Sequence, residues 1–282
     1  MRQPTPQSPD PYGRTFELDQ STLAVMSDRL EARGKHPFFA QAINEYMDAL
    51  RLTGPETILD LGCGTGVAAR LICRRPEFRG PMTAIDISDG LIAEARRRAA
   101  AESLAQRIDF RVGDAHGLGL PAGNFDVVVM HTLISHVAQP EEVLAEGRRL
   151  LKPGTGRLVI FDGDYASLTF ATDAPDGGEA SDRAVHKGLI AQPRVMRAMP
   201  HLLADAGLNL VWSHGYVVAD IGRMDFWAPS LASQRVLLPK SGAMTAAEAN
   251  AFVDGQERAS RENRFFAASN FYTYIAQAGP LA

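Results

Sequence analysis

The sequence predicts an α/β fold in which helices cover both faces of a parallel sheet. Three observations support this fold class. From Thr57 onward, short apolar runs alternate with helical stretches. The first run ends in a glycine-rich turn that opens a helix, and the helix after the fourth run is bounded by Pro140 and by Pro153-Gly154. Strand and helix alternating at this spacing are typical of parallel strands joined by crossover helices.

The first 53 residues precede this alternation and predict a separate N-terminal unit. Residues 1–14 contain four prolines, which disfavour a helix, so we expect a loosely attached arm. Two amphipathic helices follow, over Asp19–Arg33 and Pro37–Leu50. We therefore expect residues 1–53 to form an arm and a helical lid, and residues 54–282 to form the main domain.

Seven strands are predicted in the main domain. The first five are separated by helices that begin near Gly66, Asp89 and Pro140. The last two enclose an insertion, 220–263, in which Thr245 caps a helix. The predicted strands are Thr57–Leu61, Met82–Ile87, Ile108–Val112, Phe125–His131, Arg157–Phe161, Leu208–Val218 and Phe265–Ala276.

Composition narrows the class of protein. The 282 residues are 45% hydrophobic and 22% charged, which is enough apolar material for a large core. A net charge of −4 argues against nucleic acid as a partner, and two cysteines cannot form a disulfide framework. Neither a secretory signal nor an apolar run of membrane-spanning length is recognised, so we expect a cytoplasmic protein without a membrane partner.

The glycine-rich turn carries the most specific chemical information. Asp60 is followed by glycine at 62, 64 and 66, where backbone N–H groups and a helix N-terminus meet at the carboxyl edge of the sheet. A dinucleotide fingerprint would need glycine where Val67 stands, which disfavours an NAD(P)-dependent reductase. Asp86 follows Gly66 by twenty residues and ends the second strand, where a carboxylate can accept hydrogen bonds from both ribose hydroxyls.

At these positions the sequence resembles the class I S-adenosylmethionine (SAM)-dependent methyltransferases, in their small-molecule branch. The resemblance rests on Asp60–Gly66 and Asp86, and extends over about residues 54–165. Further along the chain it is carried by Gly113-Asp114-Ala115, Phe125–Val129 and Leu150–Gly154. It implies a Rossmann-like doubly wound sheet of seven strands ordered 3-2-1-4-5-7-6, with strand 7 antiparallel. The N-terminal helices would be the lid and the 220–263 insertion a wall on the substrate side.

The resemblance also implies a cofactor site. SAM would be bound and S-adenosylhomocysteine (SAH) released, with the methionyl part on the glycine turn. Asp86 would hold the ribose, and Ile87 would lie beside the adenine. Asp114 would accept a hydrogen bond from the adenine amino group, and Ala115 would flank the ring. The cofactor-binding residues expected from the resemblance and from their position at this edge are Asp60, Gly62, Cys63, Gly64, Gly66, Asp86, Ile87, Asp114, Ala115 and His131.

Catalytic candidates lie where the fourth and fifth strands end. His131 is a candidate base or acceptor-positioning group, and the alternative is a hydrogen-bonded lining residue. For His136, a structural role or a role on the cofactor side is favoured over catalysis. Asp162 and Asp164 could hold a divalent ion, but without a third ligand we expect no metal, and acceptor recognition or loop capping is favoured. Tyr12, Arg29 and Arg33 could close over SAM, with the arginines paired to its carboxylate, although exposed charges on an amphipathic helix are the commoner arrangement.

These observations favour an enzyme that transfers a methyl group to O, N or C of a small organic molecule, for example a secondary metabolite. The alternative is a SAM-binding fold that does not methylate and serves as a cyclase or regulatory binding module. A homodimer is one possible assembly. Aromatic residues in the lid and insertion favour a small acceptor over a protein or nucleic acid.

Overall fold

The N-terminal unit is helical and closely attached. The computed structural model describes residues 9–279. A 3₁₀ helix, Tyr12–Glu17, leads into helices α1 (Gln20–Lys35) and α2 (Pro37–Leu50). Helix α1 is capped by Asp19, whose carboxylate accepts a hydrogen bond from the backbone N–H of Thr22, the third residue of the helix.

Seven strands form one sheet in the order β3-β2-β1-β4-β5-β7-β6. The first five strands are parallel, and β7 runs antiparallel to both β5 and β6. The predicted order and the antiparallel seventh strand are confirmed. The strands are β1 (Ile58–Leu61), β2 (Met82–Asp86), β3 (Ile108–Val112), β4 (Val127–His131), β5 (Arg157–Phe170), β6 (Leu208–Gly222) and β7 (Phe265–Ala278).

Helices pack on both faces of this sheet, because alternate strand residues point to opposite sides. In β4, Val127 and Val129 belong to the core beneath α1 and α2, whereas Val128 and Met130 belong to a second core. Seven more helices complete the described chain. They are α3 (Val67–Cys73), α4 (Asp89–Ala101), α5 (Pro140–Leu150), α6 (Glu179–Leu189), α7 (Val195–Asp205), α8 (Ala228–Lys240) and α9 (Ala246–Arg261).

Several predicted boundaries are wrong. Residues 9–14 are not a loose arm, because Asp10 accepts a hydrogen bond from the Ala191 backbone N–H at 3.0 Å, and the 3₁₀ helix starts at Tyr12; residues 1–8 of the predicted arm lie outside the described residues. Helix α1 does not end at Arg33 as predicted, but continues through Gly34 to Lys35.

The region after β5 departs most from the prediction. β5 continues nine residues beyond Phe161, because antiparallel pairing with β7 extends it across a register shift. Helices α6 and α8 are not predicted, and β6 takes up the first three residues of the 220–263 insertion, whereas β7 begins at Phe265 as predicted. Among residues 9–279, no helix is long and apolar enough to cross a membrane.

Candidate active site

A deep cavity opens at the carboxyl edge of β1, β2 and β4, with α1 across its mouth. Its volume is about 180 Å³. Nine of the ten residues predicted to bind the cofactor line it, together with residues of the 3₁₀ helix and α1. The tenth, Gly66, is buried behind the turn at the start of α3. The sequence therefore identified the residues that this edge of the sheet brings together.

The glycine turn has a backbone that other residues would strain. Gly62, Gly64 and Gly66 have φ angles of 74°, 54° and 76°, in the left-handed region. A Cβ atom on Gly62 would lie 2.5 Å from Leu133 Cδ1, and one on Gly66 would lie 2.7 Å from Phe110 Cε1. The turn therefore needs glycine both for its conformation and for the space beside it, and it brings the backbone to the cavity wall.

Asp86 supports this turn from the end of β2. Its Oδ2 accepts a hydrogen bond from the Gly64 backbone N–H at 2.7 Å, and its Oδ1 accepts one from Ser88 N–H at 3.0 Å. Burial raises the pKa of this carboxyl, although the backbone donors oppose the effect. Because each carboxylate oxygen has two lone pairs, Asp86 can accept further bonds from a ligand in the cavity.

Asp60 is the most unusual acid of the site. It is completely buried and lines the cavity. Its Oδ2 accepts a hydrogen bond from Ala69 N–H at 3.1 Å, but Oδ1 has no partner among the described residues. Burial, with the negative charge of Asp86 nearby, raises the pKa of Asp60 to about 7. An unsatisfied buried acceptor is costly, so this atom is suited to a ligand that donates a hydrogen bond or carries positive charge.

The far end of the cavity is formed by the loop after β3. Asp114 accepts two hydrogen bonds at Oδ1, from the backbone N–H and from Nδ1 of His116, at 3.0 and 2.7 Å. The other carboxylate oxygen, Oδ2, takes part in neither of these two hydrogen bonds. Ile87 and Ala115 are half-buried beside it, so the pocket here has apolar walls and one polar rim.

His131 stands at the end of β4, enclosed by aromatic rings. Its imidazole stacks on Phe161 with centroids 4.6 Å apart, and Nδ1 lies 3.4 Å from the Tyr46 hydroxyl. Nε2 is buried without a hydrogen-bond partner among residues 9–279. Burial and the positive charge of Arg33 lower the pKa of His131 to about 3, so the ring is neutral at physiological pH.

Arg29 and Arg33 do not lie on an exposed face, as the commoner arrangement would have them, but line the cavity from α1. The Arg29 guanidinium carbon lies 4.8 Å from the centre of the Tyr12 ring, and that of Arg33 lies 4.7 Å from the centre of the Phe39 ring. The sequence carries a signal for this position. Arg29 and Arg33 follow Met26, a buried residue, by three and seven positions, which places all three on the same face of the helix.

The N-terminal unit is tied to the main domain by three buried contacts. Glu31 on α1 accepts a hydrogen bond from the Thr65 hydroxyl at 2.6 Å and pairs with Arg70 at 2.6 Å. His136 Nδ1 lies 2.7 Å from Asp10 Oδ2, which gives His136 the structural role that the sequence favours. Asp10 was missed because its partner lies 126 positions away. No local pattern indicates such a contact.

The two other candidate carboxylates are already engaged in hydrogen bonds. Asp162 is completely buried and accepts bonds from the backbone N–H groups of Ser135 and Gly163, at 3.0 and 2.8 Å. Asp164 pairs with Arg197 at 2.8 Å. This arrangement matches the loop-capping alternative for Asp162, whereas Asp164 holds α7 against β5.

Comparison with known proteins agrees with this geometry. Residues 58–154 match the family model described as a methyltransferase domain. An uncharacterized 37.1 kDa protein in a transposon of Streptomyces fradiae is 35% identical over 57% of this chain and 46% of its own length. A ubiquinone/menaquinone biosynthesis C-methyltransferase of Roseobacter denitrificans is 32% identical over 52% of this chain and 56% of its own.

The chain thus spans about half the length of the curated relatives that it matches. Among solved structures, the [4+2]-cyclase SpnF has the same fold, with a TM-score of 0.62 and 17% identity over 98% of each chain. Residues 58–154 are therefore a methyltransferase domain, and the strand order and the glycine turn agree with the class I S-adenosylmethionine-dependent methyltransferase family that the sequence resembles.

Proposed function

We propose that this protein binds SAM in the cavity and transfers its methyl group to a small organic molecule, releasing SAH. The observation that carries the proposal is the pairing of the glycine turn with Asp60, whose buried Oδ1 lacks a partner among the described residues. The residues present fit this cofactor, because its ammonium group and its sulfonium centre both carry positive charge. A buried carboxylate of raised pKa would regain a favourable environment beside such a ligand.

Each wall of the cavity would hold one part of the cofactor. Asp86 would accept hydrogen bonds from the ribose hydroxyls, and Asp114 would accept one from the adenine amino group. Ile87 and Ala115 would flank the adenine ring. When bound, SAM supplies an electrophilic methyl group. The chain's own contribution would be to orient the acceptor in line with that group and to exclude water, by means of the lid formed by α1 and α2.

We propose that His131 positions the acceptor. Its Nε2, which has no partner within the described part of the chain, can accept a hydrogen bond from a hydroxyl or an amine, and Tyr46 adjoins Nδ1 on the opposite side of the ring. A pKa of about 3 makes the imidazole a weak base that stays neutral and available as a hydrogen-bond acceptor. The acceptor atom would therefore be an O or N that carries hydrogen, or a C activated by such a group.

The insertion would form the substrate side of the site. Phe226 and Trp227 of this insertion line a small second cavity next to Arg29 and Arg33. The aromatic side chains of this insertion favour an acceptor with an apolar body, such as a secondary metabolite. The main domain over residues 54–282 would then bind the cofactor, with residues 1–53 closing over it.

The test is a screen of small-molecule acceptors with purified protein and SAM, read out by mass spectrometry. We expect SAH and a methylated product to appear together for at least one acceptor class. SAM that binds but yields no SAH with any acceptor would favour a SAM-binding module without methyl transfer, such as a cyclase. Absence of SAM binding would contradict the proposed function.

A further inference from the structure

The sheet ends in two edge strands that differ in length and in charge. At one edge, β3 has five residues, of which Asp109 and Arg111 are exposed and charged. At the other edge, β6 has fifteen residues, and β7 is its one neighbouring strand among the residues that the structure describes. Short length and charged side chains are common devices that stop an edge strand from pairing with another chain. The β3 edge has both devices, whereas the β6 edge is long.

The outer edge of β6 is open along most of its length. Residues 208–219 contain no Asp, Glu, Lys, Arg or Pro, and nine of the fifteen residues of β6 are exposed. The register with β7 shifts between Leu210 and Trp212 and is regular from there to Gly222. Over this regular segment, backbone N–H and C=O groups of alternate residues point outward, and neither a proline nor an exposed charge opposes pairing with a further strand.

One face of the same strand carries exposed apolar side chains. Val217 and Ile221 are 78% and 77% exposed, and Ala219 between them is exposed as well. Ile221 lies opposite Phe266 of β7, which is itself 37% exposed. Helix α7 packs on this face at the other end of β6, beside Leu208. The second half of β6 therefore leaves a contiguous apolar patch in water, which is typical of an interaction surface.

We propose that β6 pairs with β6 of a second copy of this chain, antiparallel and about a two-fold axis beside Val217. The two seven-stranded sheets would then form one continuous sheet. Val217 is the central residue of the regular segment 212–222, so pairing about it uses that whole segment. The two apolar patches would adjoin across the axis, because each includes Val217, and both would be removed from water.

The charges of the segment favour a second copy as the occupant. An antiparallel two-fold pairing brings residues near the axis opposite their own equivalents, so a charged residue there would meet a like charge. About Val217, the neighbouring residues Tyr216 and Val218 are uncharged, and Asp220 would lie opposite His214. A strand of an unrelated protein would find no exposed charge on this edge to select it, whereas a second copy brings the same uncharged edge and the same patch.

The available surface is that of a small, reversible interface. Twelve residues of β6 are not buried, and exposed neighbours on β7, such as Phe266, add to them. A standard interface uses roughly 20–30 residues per side, so we expect a dimer that dissociates on dilution.

Sedimentation velocity over a range of protein concentrations tests this proposal. We expect the wild type to pass from monomer to dimer as the concentration rises. Val217→Lys should raise the dissociation constant about tenfold or more, because two like charges would face each other at the axis. Val217→Thr keeps the β-branched shape without a charge and should retain most of the dimer. Val112→Lys places the same charge on an exposed valine of the β3 edge and should change nothing.

Hydrogen exchange supplies a second measurement. Protection of the β6 amides should rise with concentration in the wild type but not in Val217→Lys, while protection of the β3 amides stays constant. Because Val217 is exposed, lysine at this position should not disturb folding, and circular dichroism checks this.

Three outcomes would overturn the proposal. A wild type that stays monomeric at every concentration would show that β6 does not pair with itself. A dimer that Val217→Lys leaves intact, or one that Val112→Lys weakens equally, would place the contact away from the β6 edge. None of these measurements uses a ligand, so their result is independent of the proposed methyl transfer.

Discussion

Replacing Asp60 with asparagine changes the charge of the site and keeps the shape of the side chain. The carboxyl has a folded-state pKa of about 7, raised from 3.8 mainly by burial. The protonated, buried carboxyl therefore makes its full contribution to the free energy of unfolding below about pH 4, and this contribution is lost progressively as the pH rises through 7. A difference of about three pKa units corresponds to about 4 kcal/mol, of which about 3 kcal/mol is lost between pH 5 and pH 8.

Asparagine at this position does not titrate, so the two proteins should diverge with pH. We expect the free energy of unfolding of the wild type, relative to Asp60→Asn, to fall by about 3 kcal/mol from pH 5 to pH 8. Urea denaturation of the ligand-free proteins at several pH values measures this difference. The exposed Asp28→Asn substitution on α1 is the control and should run parallel to the wild type.

The same substitution should weaken cofactor binding. A charge-assisted hydrogen bond contributes about 1.5–3 kcal/mol, so SAH affinity at pH 8 should fall roughly 10- to 100-fold in Asp60→Asn. The loss should be smaller at pH 6, where the wild-type carboxyl is mostly protonated. A stability difference independent of pH, together with unchanged SAH affinity by calorimetry, would refute the assignment of Asp60 as a buried acid facing the ligand.

Three further predictions concern the remaining site residues. Asp86→Ala should weaken SAM binding by about 1.5–3 kcal/mol in titration calorimetry, and unchanged affinity would rule out its ribose contact. Activity should survive EDTA, because Asp162 and Asp164 are already engaged by backbone N–H groups and Arg197; loss on chelation with recovery in Mg²⁺ would point to metal-assisted transfer. His131→Ala should lower kcat/KM roughly 100-fold with SAH affinity nearly intact, and the wild-type rate should show no titration of this group near pH 6.5, because its pKa is about 3. Turnover within a few-fold of wild type would remove His131 from the acceptor site.

The central sheet was predictable because its signals are local. Each of the first five strands is a short apolar run, and the glycines of the first turn have φ angles that only glycine adopts readily. Strand order came from the resemblance, since seven short runs do not determine how strands neighbour one another. The lining residues followed from their position directly after strands, where the carboxyl edge brings them together.

The substrate side could not be predicted in the same way. Helix α8 contains Pro229 and Pro239, and its buried face combines Leu231, Leu237 and Leu238 with the polar residues Ser233 and Gln234. Helix α6 follows a glycine pair in an acidic segment whose composition indicates a loop. Both elements depend on tertiary packing. The arm was missed for a related reason, because its contacts are made with residues more than a hundred positions away.

The most direct test of the central claim is the fate of the methyl group itself. The protein is incubated with methyl-labelled SAM and an acceptor found in the screen, and labelled product and SAH are measured over time. The account predicts that the two form in equal amounts and that Asp86→Ala lowers both together. SAM that binds and stays intact while the acceptor is converted would contradict methyl transfer and show that this fold uses its cofactor cavity for other chemistry.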